Sequence, residues 1–159
     1  MFNAYLDTIA ITERLHRQFL ELVKIELENH GMHDVNNVQA MIVFNIADLD
    51  MTVGELTLRG CYLGSNVSYN VKKMAENGYI LQERSPHDKR SVRVRLSDKG
   101  RNLRALLLAM IERQVDHIAK GTIDQDNLTQ ALATLNRIDR FWTRAMALGP
   151  RAMELTPAA

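Results

Sequence analysis

Residues Ser65 to Glu76 combine side chains that can contact bases and phosphates along one face of a helix. At 100° per residue, Val67, Val71 and Met74 share one face, and polar residues lie opposite and beside it. Hydroxyl and amide groups can hydrogen-bond to base edges in a major groove, whereas lysines bind phosphates. We therefore predict base contacts by Ser65, Asn66, Ser68 and Tyr69, and phosphate contacts by Lys72 and Lys73. The alternative is an ordinary solvated polar face.

A second group of cations alternates with apolar residues from Val92 to Leu96. Strand geometry sends Val92, Val94 and Leu96 to one side and Arg93 and Arg95 to the other. We predict that the apolar side packs inward and that the two arginines face a DNA backbone. The alternative is that these charges protect a sheet edge against pairing with another strand.

The turn that precedes this strand, Ser85 to Arg90, extends the positive surface. His87, Lys89 and Arg90 lie where they would reach a phosphate or a minor groove, whose negative potential attracts arginine. Asp88 would repel DNA if it stood alone. Its carboxylate, however, can accept hydrogen bonds from the Arg90 guanidinium and from backbone N–H groups of the turn. We interpret Asp88 as a structural residue that braces this turn.

Charge is unevenly distributed along the 159 residues. Residues 52–104 contain 11 Lys or Arg and 5 Asp or Glu, a net charge of +6, whereas the rest contains 9 and 14, a net charge of −5. The overall charge of +1 argues against non-specific coating of DNA, which requires a positive surface over most of the protein. The distribution predicts a localised binding surface for an anionic polymer.

Composition also bears on the cellular compartment. No apolar run approaches the roughly 20 residues that cross a bilayer, and the first residues lack a basic segment followed by an apolar stretch. The single cysteine, Cys61, excludes a disulfide within one chain, which fits a reducing compartment. We therefore expect a cytoplasmic protein without a membrane partner.

The positive module has the order of elements of a winged helix-turn-helix. Thr52 and Glu55 have the spacing of a capping box, in which each side chain binds a backbone N–H at a helix start. The predicted elements are a short helix ending near Arg59, a helix from Ser65 to Asn77, and strands over Tyr79 to Arg84 and Ser91 to Ser97.

Helices are predicted on both sides of this module. Apolar residues recur at three- and four-residue steps, typical of amphipathic helices. The predicted helices run from about Thr8 to His30, from Asn36 or Asn37 to about Ile46, from Ser97 to about Lys120, and from Asp124 to Gly149. The fold class is therefore mainly α with a small β-hairpin (α+β), in which a winged helix-turn-helix is embedded in a helical frame.

These residues resemble the MarR-type family of winged helix-turn-helix transcriptional regulators. Four segments carry the resemblance. The most specific is Asp88–Gly100, because it is similar to the family's wing, in which Asp-x-Arg is followed by alternating strand residues, Leu-Ser and Gly. Tyr69-Asn70 replaces a more usual basic–aliphatic pair, so the operator sequence does not carry over. The four segments are T-x-x-E-L at Thr52–Leu56, S-N-V-S at Ser65–Ser68, N-G-Y-I at Asn77–Ile80, and D-K-R-S-V-R-V-R-L-S-D-K-G at Asp88–Gly100.

The resemblance implies a ligand-responsive repressor that binds a pseudo-palindromic double-stranded DNA operator as a homodimer. Residues 1–33 and 101–150 would supply the dimerisation helices, 34–100 the DNA-binding region, and 151–159 a frayed tail. Two-fold symmetry would place the half-sites about 10 base pairs apart. The family also implies a small-molecule effector, for which His16, Phe19 and Met41 are candidate pocket residues. The alternative for these three is an ordinary core or surface position.

Other classes of function have weaker signals in the sequence. Cys61 near Arg59 would suit a redox sensor, and His30, His33 and Asp34 with a remote His117 would suit a metal sensor. We predict no metal and no cofactor, because the chain lacks paired-cysteine and His-Glu-x-x-His spacings and phosphate-binding glycine loops. Absence of a nucleophile motif argues against an enzyme. The remaining alternative is a helical dimer whose winged domain acts through protein or ligand contacts.

Overall fold

The computed structural model describes residues 1–59, 64–84, 92–121 and 123–148, with only the backbone at 64–65. Within these ranges the chain forms six helices and three strands. In chain order they are α1 (Phe2–Asn29), α2 (Asn37–Ile46), β1 (Met51–Thr52), α3 (Val53–Arg59), α4 (Gly64–Glu76), β2 (Ile80–Arg84), β3 (Val92–Leu96), α5 (Asp98–Ala119) and α6 (Gln125–Leu148). The chain divides into two units, Met1–Ile111 and a second that begins at Glu112.

The starts of α2, α3, α5 and α6 follow from polar side chains that satisfy free backbone N–H groups. Asn36 accepts from the Gln39 N–H at 2.9 Å, and the Gln39 side chain accepts from the Asn36 N–H at 3.1 Å. Thr52 and Glu55 form the same reciprocal pair at α3. The predicted capping box at Thr52 is therefore confirmed. The other caps are Ser97, which accepts from the Gly100 N–H at 3.1 Å, and Asp124, which accepts from the Asn127 N–H at 2.8 Å.

The turn between α4 and β2 positions the sheet against the end of α4. Gly78 has φ +78°, a left-handed conformation that glycine adopts without a Cβ clash. The Gly78 N–H then donates to the Ala75 carbonyl, and the Tyr79 N–H donates to the Met74 carbonyl at 2.9 Å. This turn closes α4 where the N-G motif predicts.

The antiparallel sheet has the strand order β1-β3-β2, so β3 lies in the middle. The β2–β3 register pairs Ile80 with Leu96 and Arg84 with Val92, as expected for the hairpin. The sheet has one strand more than the predicted hairpin, because Met51 pairs with Val94 and Thr52 with Arg93. A two-residue strand has no alternation by which sequence could reveal it.

The core of the first unit is apolar and draws on every described helix from α1 to α5 and on the sheet. It explains the positions of α4 and β3, since the inward residues of α4 and two of the three predicted for β3 belong to it, whereas Val92 is only partly buried. Its buried members include Val23 and Leu27 of α1, Ile42, Val43 and Ile46 of α2, Leu56 of α3, Val67, Val71 and Met74 of α4, Val94 and Leu96 of β3, and Leu103, Leu107 and Met110 of α5.

The second unit contains the end of α5 and the long α6. No described residue of α6 is buried in this chain, although its apolar residues recur at helical spacing. The exposed apolar residues of α6 include Leu128, Leu132, Leu135, Phe141 and Met146. The N-terminal half of α1 is similar, with Phe2, Leu6, Ile11 and Leu15 exposed. None of the helices in the described residues has the length and apolarity to span a bilayer.

Candidate nucleic-acid interface

Helix α4 separates a packing face from a polar face as its sequence predicts. Val67, Val71 and Met74 are at most 1% exposed. Tyr69 is 68% exposed, so its ring projects into solvent although it is aromatic. The other described residues of the predicted contact face, Asn66, Ser68, Lys72 and Lys73, are exposed as well. The side chain of Ser65 lies outside the described residues, and its backbone is in the first turn of α4.

The two lysines of α4 differ in their electrostatic surroundings. Lys73 forms an ion pair with Glu76 one turn later, at 3.3 Å from Nζ to Oε2. Lys72 has no carboxylate within ion-pair distance among the residues described. Exposed ion pairs of this kind contribute little to stability, so both ammonium groups remain available to a phosphate.

The two arginines of β3 are both bound to carboxylates. Arg93 Nε donates to Asp50 Oδ1 at 3.0 Å, and Arg93 Nη2 donates to the Asp50 carbonyl at 2.8 Å. Arg95 Nη2 donates to Glu83 Oε1 of β2 at 3.0 Å. These bonds join β3 to the segment before β1 and to β2. The arginines therefore link β3 to both of its neighbours, although each half-exposed pair contributes at most about 1 kcal/mol.

The edge-protection alternative does not apply equally to the two arginines. Arg93 pairs with Thr52 on one side and with Glu83 on the other, so it lies inside the sheet and guards no edge. Arg95 pairs with Leu81, whereas β1 ends its pairing with β3 at Val94. The alternative is thus wrong for Arg93 and remains only for Arg95.

The predicted wing-tip residues, His87, Asp88, Lys89 and Arg90, lie outside the described residues. At the base of this hairpin, Arg84 is exposed at the end of β2, opposite Val92. The described ranges contain no carboxylate paired with Arg84. Sequence reasoning missed this residue, although its signal was available, because a cation at the last strand position before a basic turn extends the same surface.

Asp34 lies at the centre of a polar junction between the α1–α2 loop, the α4–β2 turn and the start of α5. Its carboxylate accepts from the Tyr79 hydroxyl at 2.6 Å and from Lys99 Nζ at 2.6 Å. Its carbonyl accepts from the Asn77 side chain at 2.5 Å. Lys99 also donates to the Asn77 carbonyl at 2.9 Å, and its Nζ lies 4.1 Å from the centre of the Tyr79 ring. We call these residues the Asp34 junction.

The Asp34 junction perturbs the two acids that it contains. The hydrogen bond from Lys99, followed by that from Tyr79, lowers the pKa of Asp34 below its usual value, because both stabilise the carboxylate. Burial, followed by the bond to Asp34, raises the pKa of Tyr79 above its usual value. The sequence offers Asp34 as one ligand of a possible metal site, but its carboxylate binds Tyr79 and Lys99 of this junction. Among the described residues no group of three His, Cys, Asp or Glu could hold a metal ion.

Gly100 allows the start of α5 to approach the α4–β2 turn closely. A Cβ at this position would overlap the carbonyl oxygen of Tyr79 and also press on Leu96. The same carbonyl accepts from the Ser97 N–H at 3.1 Å and from the Ser97 hydroxyl at 3.0 Å. The glycine that ends the wing motif is thus explained by the close packing of two backbones.

The candidate effector residues occupy different environments. His16 is exposed, whereas Phe19 and Met41 are partly buried and pack against the core. A separate cavity of about 240 Å³ opens at the corner between α1 and α2, where Lys24, Met32, His33 and Asn37 contribute to its lining. Cys61, the candidate redox residue, lies outside the described residues.

Comparison with known proteins agrees with this geometry. Residues 35–100 match a family model described as a winged helix DNA-binding domain. The exopolysaccharide II synthesis transcriptional activator ExpG of Rhizobium meliloti (strain 1021) is 39% identical over 145 residues, which cover 91% of this chain and 75% of ExpG. Staphylococcus aureus MarR, solved with salicylate and kanamycin, superposes with a TM-score of 0.72 at 24% identity, over 89% of this chain and 93% of that one.

A second solved structure shows the same fold with nucleic acid present. Streptococcus pneumoniae FabT in complex with DNA superposes with a TM-score of 0.70 at 18% identity, over 88% of this chain and 98% of that one. The fold and the matched domain together define a winged-helix transcriptional regulator rather than an enzyme. The chain belongs to the MarR-type family of winged helix-turn-helix transcriptional regulators.

Proposed function

We propose that this regulator binds a pseudo-palindromic DNA operator as a homodimer and contacts bases through the exposed face of α4. The carrying observation is the division of α4 into a buried apolar face and an exposed face that includes Asn66, Ser68, Tyr69 and Lys72. Hydroxyl, amide and aromatic groups distinguish base edges, whereas lysines bind phosphates. Ser65 completes this set by its place in the first turn of α4.

The wing is proposed to bind the DNA backbone beside this helix. His87, Lys89 and Arg90 would supply the contacts at its tip, and Asp88 would brace the turn. We add Arg84 to this surface, since it is exposed and unpaired among the described residues. Arg93 and Arg95 would have to release Asp50 and Glu83 before they could bind phosphate. We therefore assign them a smaller share of the binding.

Dimerisation is supported by the apolar surface that one chain leaves exposed. Leu132 of α6 is 60% exposed, and several other apolar residues of α6 and of the first half of α1 share this exposure. An apolar helix face left exposed along its length, as on α6 and separately on α1, is typical of an interface with another protein. A second copy of the chain is the occupant we propose, because two-fold symmetry supplies the second recognition helix that a palindrome requires.

The direction of regulation has two candidates. A repressor is expected when the operator overlaps the promoter, and an activator when it lies upstream of it. ExpG, which is 39% identical, carries the name of a transcriptional activator, and this observation favours activation as the second candidate. A reporter gene fused to the bound promoter, assayed with and without the regulator, distinguishes the two by the sign of the change.

An effector is proposed to control DNA binding. The cavity at the α1–α2 corner is lined by Lys24 and His33 together with the Glu28 carboxylate, a mixed set of charges that suits a polar ligand with groups of both signs. Phe19 and Met41, which pack against the core, are a second candidate. A ligand changes DNA affinity only if it binds the DNA-competent and DNA-incompetent states with different affinities. A thermal-shift screen of small aromatic acids, followed by DNA release assays, tests this.

The central experiment is selection of duplexes from a random pool by the full-length protein, followed by mobility-shift titration at several salt concentrations. We expect an enriched palindrome with half-sites about 10 base pairs apart and a steep fall of affinity with salt. Equal affinity for the enriched and a random duplex would contradict operator-specific binding, and failure to bind either would favour a winged domain that acts through protein or ligand contacts.

The double variant Leu128→Glu with Leu132→Glu tests whether the apolar face of α6 forms the dimer interface. Two charges on the apolar face should convert the protein to a monomer in light scattering and abolish stable operator binding. Gln130→Glu, an exposed position on the opposite face of α6, serves as the control and should leave the dimer intact. Retention of the dimer by the double variant would place the interface elsewhere.

A further inference from the structure

Gln39 is a buried polar side chain inside the helix-turn-helix core, at 6% exposure. An amide in this position costs free energy unless both ends are hydrogen-bonded. Its Oε1 accepts from the Asn36 N–H at 3.1 Å, and its Nε2 donates to Asn70 Oδ1 at 3.2 Å. The second bond connects α2 to the recognition helix α4.

Backbone groups fix the orientation of both amides in this connection. Asn70 Nδ2 donates to the Asn66 carbonyl at 2.8 Å, one turn earlier in α4, which leaves Oδ1 to face Gln39. A backbone N–H can only donate and a carbonyl can only accept. Neither amide can therefore flip without losing a hydrogen bond. Gln39 of α2 must donate through Nε2, and Asn70 of α4 must accept through Oδ1.

The remaining packing of α4 does not define its rotation in the same way. Val67, Val71 and Met74 bury an apolar face, and apolar burial is non-directional. A small rotation about the helix axis changes the buried area little, whereas it breaks a hydrogen bond of 3.2 Å. For the residues of α4 that the structure describes, the bond to Gln39 is thus a directional restraint from the core side.

Asn70 stands where such a restraint affects the contact face. It follows Tyr69 directly and lies one turn after Asn66, and both are among the residues proposed to contact bases. Rotation of α4 would move both side chains relative to the groove. Gln39, in contrast, is buried and has no surface for DNA, so any effect of changing it on base preference must pass through α4.

We propose that Gln39 and Asn70 form a positioning pair that sets the rotation of α4 and thereby determines which bases its exposed face distinguishes. This inference rests on the proposed operator-specific binding. It assigns a role in DNA recognition to a residue of α2 that contacts no nucleic acid, and it gives Asn70 a function distinct from base contact.

The test compares the affinity of full-length variants for the duplex enriched by the wild type with that for a random duplex of equal length. Gln39→Met approximately preserves side-chain volume and removes the bond to Asn70 together with the cap on the Asn36 N–H. Asn70→Ala, at a partly exposed position, removes the bond from the other side and leaves that cap intact, at the cost of a bond within α4. Each should lower the ratio of the two affinities about ten-fold, while affinity for the random duplex changes less than about two-fold, because no phosphate contact is lost. The double variant should be no worse than either single one.

Asn37→Ala is the matched control. Asn37 lies in the same turn of α2 and donates to the Leu20 carbonyl of α1 at 3.0 Å, so its loss weakens α2 without touching α4. Its melting temperature should fall while its affinity ratio is retained. Additive losses in the double variant, or a retained ratio in Asn70→Ala, would overturn the positioning role. If the wild type itself bound the enriched and the random duplex with equal affinity, the proposed function and this inference would both be wrong. If the variants kept the preference of the wild type for the enriched duplex, only this inference would be wrong.

Discussion

The two lysines of α4 and the two arginines of β3 look alike in the sequence as pairs of cationic residues. In the structure they differ in the carboxylates that they contact. Arg93 and Arg95 lie 3.0 Å from Asp50 and Glu83, and Lys99 beyond them lies 2.6 Å from Asp34. Lys72, by contrast, meets no carboxylate in the described part of the chain, and Lys73 has only a neighbour on its own helix. The difference is that the cations after the wing bind carboxylates of other elements, whereas among the described residues those of α4 do not, and it is the basis on which we propose the α4 lysines as phosphate contacts.

The first prediction concerns Gly100, where the start of α5 approaches the α4–β2 turn next to the Asp34 junction. Gly100→Ala should lower the free energy of unfolding by about 3 kcal/mol, because a Cβ would overlap the Tyr79 carbonyl oxygen and force two backbones apart. Urea denaturation followed by circular dichroism measures this.

Gly54→Ala is the control for this substitution. A Cβ at Gly54 would meet only the Thr52 hydroxyl, at 3.8 Å, which is an ordinary contact. Alanine should therefore be neutral or stabilise α3 by up to about 1 kcal/mol, through its higher helix propensity. Equal losses in the two variants would show that the close approach at Gly100 is not the cause.

The second prediction concerns Asp34 and its dependence on pH. Asp34→Asn should cost about 1 kcal/mol at neutral pH, since the pair with Lys99 is half exposed and solvent screens part of it. The pKa of Asp34 is lowered in the folded state, so its contribution is complete above the usual value of 3.8 and is lost as pH falls through the folded pKa.

Unfolding titrations between neutral pH and pH 3 should therefore show the wild type and Asp34→Asn converging in acid. Asp98→Asn is the control, because Asp98 is almost fully exposed and, in the described part of the chain, forms an ion pair with Arg101 on its own helix and with no other residue. Its effect should stay below about 0.5 kcal/mol at every pH. A constant difference between wild type and Asp34→Asn would contradict the role of the carboxylate charge.

Sequence predicted the faces of these elements because each face depends on local geometry. Val67, Val71 and Met74 are buried, and their spacing follows the period of an α-helix. Val94 and Leu96 are also buried, and their spacing follows the two-residue alternation of a strand. The cap at Thr52 likewise joins residues three positions apart. Such signals lie within one or two turns of chain, so the helices, the hairpin and the exposed face of α4 could be predicted.

The partners of the cations could not be predicted, since they are distant in sequence. Asp50 is 43 positions from Arg93, and Asp34 is 65 positions from Lys99. Periodicity carries no information on such pairs, which the packing of the core selects. The arginines of β3 consequently resemble a free cationic surface in sequence, and the structure reveals their carboxylates.

The third prediction tests the lysine side of the comparison. Lys72→Ala should weaken DNA binding about five-fold for operator and random duplexes alike and lower the slope of log affinity against log salt by about one, as expected for a phosphate contact. Arg95→Ala should change affinity less than about two-fold, because Glu83 already neutralises its charge. Equal losses would mean that β3 contacts DNA as strongly as α4 does.

The fourth prediction uses Glu83 to release Arg95. Glu83→Gln removes the carboxylate at 3.0 Å, so the guanidinium becomes free to bind phosphate, and DNA affinity should rise about two-fold with a steeper salt dependence. Removing any acid near DNA also raises affinity through the general field. The two causes separate when the substitution is repeated in an Arg95→Ala background. Release of Arg95 predicts that the gain disappears there, whereas a general field effect predicts the same gain in both backgrounds and would leave Arg95 with a role in the sheet alone.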